Sequence, residues 1–142
     1  MTYEQLAYLH LSTIAPAFFI GTLLVAWRKG TPTHRALGRI YLLLMVTTAL
    51  LTLFMPARVG PRFFGHFGFI HMFSLLTLYS APAAYLAARN GNIGGHRRNM
   101  TGLYVGILLA GAFAFAPGRM LHGWLFGPAH HSAGAAQETA GP

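Results

Sequence analysis

Residues 33–41 read Thr33-His34-Arg35-Ala36-Leu37-Gly38-Arg39-Ile40-Tyr41, and a related stretch at residues 95–104 reads Gly95-His96-Arg97-Arg98-Asn99-Met100-Thr101-Gly102-Leu103-Tyr104. Each stretch joins a His-Arg pair to a Gly and a Tyr, and an apolar run follows each. Another apolar run with its own histidine lies upstream of each, with His10 before the first and His71 before the second. His34 follows His10 by 24 residues and His96 follows His71 by 25 residues, so the two spacings nearly agree. The sequence therefore predicts an internal duplication, one hydrophobic helical hairpin that occurs twice.

The composition is that of a membrane protein rather than a soluble domain. Of the 142 residues, 54% are hydrophobic and only 8% are charged, whereas a soluble domain carries about a quarter charged residues. The basic residues fall between the apolar runs instead of along one face, which argues against nucleic acid binding. The chain contains no Cys, so disulfides, iron–sulfur clusters and thiolate zinc sites are excluded.

Four segments have the length of about 20 apolar residues that a membrane crossing needs. They lie at about residues 6–27, 36–55, 64–88 and 100–121. The start of the chain lacks the positively charged region of a signal peptide, so we expect the first segment to be retained as a span. We predict an all-α, four-helix transmembrane bundle over residues 1–127, made of two tandem hairpins with pseudo-two-fold symmetry. Residues 128–142 are expected to be a disordered tail.

The basic residues predict the orientation. Seven lie at the connections between spans 1–2 and 3–4: Arg28, Lys29, Arg35, Arg39, Arg89, Arg97 and Arg98. Three lie on the opposite side: Arg58, Arg62 and Arg119. The positive-inside rule therefore predicts that both termini are periplasmic in a multi-pass protein of the bacterial inner membrane.

The duplication makes His10 equivalent to His71 and His34 equivalent to His96, which gives one histidine pair for each side of the bilayer. Imidazoles on two facing helices can hold haem iron from both faces of the ring. Arginines at the helix ends would pair with the propionates, with Arg58 and Arg119 outside and Arg35 and Arg97 inside. The leading hypothesis is a small b-type cytochrome with one or two haems that passes electrons across, or within, the membrane to a quinone or to a partner redox protein.

Two other functions remain open. A cofactor-free subunit or assembly factor of a larger complex would use the histidines as hydrogen-bonded structural residues or lipid contacts. Copper or other metal handling would use histidines together with methionines such as Met45 and Met100. The sequence leaves open whether the protein is an enzyme and whether it forms a homo-oligomer.

The same residues resemble those of a known family. The shared features are His10, Lys29-Gly30, Thr33-His34-Arg35 with Gly38, Met45, Ile70-His71, Arg89-Asn90-Gly91-Asn92, His96-Arg97 with Met100-Thr101-Gly102-Leu103-Tyr104, and Pro117-Gly118-Arg119. They are similar to those of small bacterial four-span membrane proteins catalogued as a domain of unknown function. The resemblance implies a helical inner-membrane protein and implies no activity. In outline the arrangement also resembles diheme b-type cytochromes, which is an analogy of architecture.

Overall fold

Four α-helices make up the part of the chain that the computed structural model describes, residues 2–55 and 68–114. They are α1 (Tyr3–Ala26), α2 (Pro32–Phe54), α3 (Phe69–Arg89) and α4 (Ile93–Ala114). Within these two ranges there is no strand, so the predicted all-α fold is confirmed. Residues Met1–Ala110 form one compact unit, the first unit, and the predicted tail, residues 128–142, lies outside the described residues. The bundle described below belongs to the first unit.

The helices begin at capping residues that precede the apolar runs. At α1, Thr2 and Gln5 form a capping box, in which each side chain bonds the other's backbone N–H. At α2, the Thr31 hydroxyl accepts the backbone N–H of His34 at 3.1 Å. At α4, the side-chain oxygen of Asn92 accepts the backbone N–H of Gly95 at 2.8 Å. Helices α2 and α4 therefore start at residues 32 and 93, ahead of the apolar segments predicted from about 36 and 100.

The turn between α1 and α2 and the turn between α3 and α4 share one backbone feature, a glycine with positive φ. Gly30 has φ +83° and Gly91 has φ +73°, a left-handed conformation that costs any other L-residue free energy. Each glycine is followed directly by the residue that caps the next helix, Thr31 in the first hairpin and Asn92 in the second. The hairpins thus match at their turns, as a duplication requires. We call this end of the bundle the turn end, and the end that holds Thr52 and Met55 the far end.

The four helices of the first unit share one core. Helix α2 packs against both α1 and α3. Helix α4 reaches α1 through a 3.0 Å hydrogen bond between the Tyr104 and Thr22 hydroxyls, and it reaches α3 through a 2.9 Å contact between His96 Nδ1 and the Ala84 carbonyl. The buried core residues come from every helix: Ala17, Leu24, Tyr41, Leu42, Met45, Ala81, Ala84, Leu103 and Ile107. Because α2 and α4 each adjoin α1 and α3, they lie diagonally across the bundle, as do α1 and α3.

The outward faces of the helices are apolar. Phe19, Leu43, Phe54 and Tyr79 are 66%, 68%, 70% and 73% exposed, and apolar exposure on this scale is typical of an interaction surface or of a membrane protein. Within the described part, the segments Glu4–Ala26 and Pro32–Phe54 are long and apolar enough to cross a bilayer, with mean hydropathy 1.8 and 1.9. These are the first two of the four predicted spans.

Candidate functional site

His96 is held by a backbone carbonyl at the turn end. It lies in the first turn of α4, four residues after the cap Asn92, and its Nδ1 is 2.9 Å from the carbonyl oxygen of Ala84 on α3. A carbonyl can only accept, so Nδ1 carries the proton and donates it. In the neutral ring Nε2 is then left as an unprotonated lone pair. This N–H···O=C arrangement is the one that orients metal-ligating histidines.

His34 lies on the diagonal helix at the same end. It is half-buried in the first turn of α2, three residues after its cap Thr31. His34 Nδ1 is a buried polar atom with no hydrogen-bond partner among the described residues. The structure therefore brings the predicted His34/His96 pair to one end of the bundle.

Tyr41 provides a second buried polar atom without a partner. It stands two helical turns after His34 on the same face of α2, it is 1% exposed, and its hydroxyl has no hydrogen-bond partner among the described residues. A buried hydroxyl of this kind is normally satisfied. His34 and Tyr41 thus place two buried polar atoms without a described partner on one face of α2.

The α2 face at Gly38 is open, whereas the Tyr41 ring is packed closely against α1. A Cβ built on Gly38, one turn after His34, would have no atom within 4 Å, so that part of the α2 face is open. A Cβ built on Gly21 of α1 would lie 2.9 Å from Cε2 of Tyr41 and 3.0 Å from Cδ2 of Tyr104. The glycine at position 21 thus lets two tyrosine rings pack on α1, while the open space lies closer to the histidines.

At the far end, His10 belongs to a network of hydroxyl groups. The Thr52 hydroxyl donates its single proton to the Thr48 carbonyl at 2.9 Å, so its 3.1 Å contact with His10 Nδ1 must be one in which the ring donates. The Thr48 hydroxyl in turn donates to the Thr13 hydroxyl at 2.6 Å, and Thr13 donates to the His10 carbonyl at 2.9 Å. In neutral His10, Nε2 is the unprotonated nitrogen.

His71 also lies at the far end, with both ring nitrogens in hydrogen bonds. The third residue of α3, it is 2% exposed. Its Nδ1 accepts the Gly68 backbone N–H at 3.1 Å, which leaves Nε2 to donate to the Met55 carbonyl at 3.1 Å. His10 therefore contacts Thr52 in the last turn of α2, and His71 contacts Met55, the residue directly after α2. Ligation of iron by His71 would require the loss of one of its two bonds.

The remaining predicted site residues are less informative. Arg35 and Arg97 are exposed in the first turns of α2 and α4, next to His34 and His96. Arg58 and Arg119 lie outside the described residues. No group of three or more His, Cys, Asp or Glu side chains suited to a metal ion occurs in residues 2–55 and 68–114. Met45 is 4% exposed within the core, where it packs as an ordinary apolar residue.

Three features of the site escaped the sequence reasoning. The orphaned hydroxyl of Tyr41 was not foreseen, although its position seven residues after His34 places both on one helix face. The caps Thr31 and Asn92 were not recognised as equivalent, although each follows a turn glycine. The engagement of His71 by the Met55 carbonyl has no sequence signal, because it depends on how the end of α2 meets α3.

The fold and its apolar exterior define the class: a helical bundle whose outer surface suits a lipid environment. Residues 7–131 match the family described as "Predicted membrane protein (DUF2306)", and the chain belongs to that family. No curated protein and no solved structure matches the chain. The family description carries no activity or ligand, so function has to be argued from the residues.

Proposed function

We propose that this protein is a small b-type cytochrome of the bacterial inner membrane, with a haem held between His34 of α2 and His96 of α4. Four spans, with the turn end in the cytoplasm and both termini in the periplasm, complete the proposal. The observation that carries it is the state of the turn-end histidines. His96 is fixed by the Ala84 carbonyl so that Nε2 offers a lone pair, and His34 on the diagonal helix has a buried nitrogen without a partner.

The surroundings of the pair fit a haem in three respects. The open space at Gly38 gives a flat ring room beside His34. Arg35 and Arg97 are exposed next to the two histidines, where guanidinium groups can form bidentate pairs with propionates. A two-histidine site also needs no third protein ligand. A haem is therefore compatible with residues 2–55 and 68–114, where no group of three or more His, Cys, Asp or Glu side chains suited to a metal ion occurs.

A bound haem would supply one-electron redox chemistry through its iron. The protein's own part is to fix the two imidazoles, to exclude water and to balance the propionate charge. The chain has no Cys, so covalent attachment through thioethers is excluded and the haem would be of the b type. The electron acceptor would be a quinone in the bilayer or a partner redox protein.

The far-end pair supports a second haem less well. His10 offers Nε2, but both nitrogens of His71 are engaged. We therefore place the proposed haem at the turn end only, and electron transfer within the membrane rather than fully across it.

The test is a reduced-minus-oxidised visible spectrum of the protein purified in detergent from haem-replete cells. We expect sharp b-type bands in the wild type and their loss in His34→Gln and in His96→Gln. The matched control is His10→Gln, which should keep the bands because it alters the far end.

A fourth variant, Gly38→Leu, fills the open space without removing a ligand and should reduce haem content in a folded protein. Bands that survive His96→Gln but vanish in His71→Ala would overturn the turn-end site. A folded, colourless wild type would overturn the cytochrome proposal and favour the cofactor-free subunit.

A further inference from the structure

An apolar groove runs between α2 and α3 on the outside of the bundle. It has a volume of about 270 Å³, and its lining includes Leu43 and Val46 from α2 and Pro82 from α3. Pro82 lies inside α3 and cannot donate a backbone hydrogen bond. Ala81 of α3 also lines the groove, and Leu43 is exposed along it.

One end of the groove is cationic. Arg39 of α2 and Tyr85 of α3 also line it, and the Arg89 guanidinium lies 5.9 Å from the centre of the Tyr85 ring. Arg39 stands about 12 Å along α2 from Thr31 at 1.5 Å per residue. Helical side chains lean towards the N-terminus of their helix, so Arg39 extends back towards the turn end, where Arg89 ends α3.

The chain does not supply counterions for these arginines in its described part. The sequence has ten Lys and Arg residues and only two acids, Glu4 and Glu138. Glu4 is the only acid in residues 2–55 and 68–114, and it lies in the first turn of α1, at the far end. A second copy of the chain would bring the same excess of positive charge, with a formal net charge of +8. A partner that pairs with these arginines would therefore be one that brings its own negative charge.

We propose that the groove is a binding site for an anionic phospholipid, with an acyl chain along Leu43, Val46 and Pro82 and the phosphate between Arg39 and Arg89. The apolar lining matches a hydrocarbon chain, and guanidinium groups at the cationic end are suited to bind a phosphate. An arginine with its aliphatic stem along an apolar wall and its head at the surface is a familiar membrane arrangement. This site is independent of the haem proposal.

The test is native mass spectrometry of the full-length protein in detergent, titrated with phosphatidylglycerol and, separately, with phosphatidylcholine of the same chains. We expect phosphatidylglycerol to bind several-fold more tightly. Each basic residue near an anionic surface contributes about 1 kcal/mol, so Arg39→Gln should weaken phosphatidylglycerol binding about five-fold. The matched control is Arg98→Gln, which removes an exposed cation of α4 outside the groove lining and should change binding less than two-fold.

A second variant tests the apolar lining of the groove independently of its positive charge. Val46→Trp fills the groove and leaves every cation in place, so it should weaken binding of both lipids, while circular dichroism confirms that the helices are retained. Equal effects of Arg39→Gln and Arg98→Gln would show a diffuse attraction and would overturn the site. Equal affinity for the two lipids, or unchanged binding by folded Val46→Trp, would overturn it as well.

Discussion

Gly21 offers the sharpest test of how the helices pack. An added Cβ would lie 2.9 Å from a ring atom of Tyr41 and 3.0 Å from one of Tyr104. Tyr41 is 1% exposed, and Tyr104 is tied to Thr22 by a 3.0 Å hydrogen bond, so neither ring moves away freely. Overpacking of this kind costs about 1–3 kcal/mol. We therefore expect Gly21→Ala to destabilise the bundle.

Alanine has a higher helix propensity than glycine, and this difference offsets the steric cost by up to about 1 kcal/mol. The matched control Gly102→Ala isolates it, because a Cβ at Gly102 of α4 would have no atom within 4 Å. Both variants gain the same propensity, so their difference in unfolding free energy equals the steric cost at Gly21, about 1–3 kcal/mol.

The assay is reversible unfolding in mixed micelles, with the helical signal followed as the fraction of denaturing detergent rises. We expect Gly102→Ala to unfold at a higher denaturant fraction than wild type and Gly21→Ala at a lower one than Gly102→Ala. If Gly21→Ala and Gly102→Ala raised the stability of the bundle by the same amount, the close packing of α1 on Tyr41 and Tyr104 would be refuted.

Three further changes test contacts within and between the helices, in the same unfolding assay. Thr22→Val removes the hydrogen bond to Tyr104 and should cost about 0.5–1.5 kcal/mol. Thr31→Ala removes the cap on the backbone N–H of His34 and should cost about 1 kcal/mol. Gly91→Ala forces a side chain into the left-handed region at φ +73° and should cost about 1–2 kcal/mol.

Each of these three changes has a matched control. The control for Thr22→Val is Thr47→Val, which loses only a bond to the Leu43 carbonyl of its own helix. The control for Thr31→Ala is Thr33→Ala, which alters an exposed first-turn residue beside the cap. Gly94→Ala adds a Cβ whose nearest atom, Oδ1 of Asn92, lies at an ordinary 3.8 Å. A variant that proved no less stable than its control would contradict the corresponding contact.

The sequence predicts the helices because their pattern of apolar residues is local. Apolar length predicts α1 and α2, and the doubled His-Arg motif predicts that the second half repeats the first. The apolar segments begin at about residues 36 and 100, later than the helices themselves, because hydropathy marks only the apolar part. The Thr31-Pro32 pair in the sequence does predict the start of α2. The polar first turn of each helix is set by the caps Thr31 and Asn92.

The candidate site was only partly accessible to sequence reasoning. The pairing of His34 with His96 follows from the repeat. The proton position on each imidazole does not, because it depends on carbonyl and hydroxyl groups of neighbouring helices. The Ala84 carbonyl accepts the Nδ1 proton of His96, whereas the Gly68 N–H and the Met55 carbonyl engage His71 from both sides. Such contacts are tertiary, and a single sequence carries no pattern for them.

The most direct test of the cytochrome proposal is the haem content of the purified protein, measured as its pyridine adduct against protein concentration. A haem shared by His34 and His96 predicts about one extractable, non-covalent haem per chain, and almost none in the folded His96→Gln protein. A wild-type protein that folds into the membrane yet purifies without haem from haem-replete cells would contradict the account.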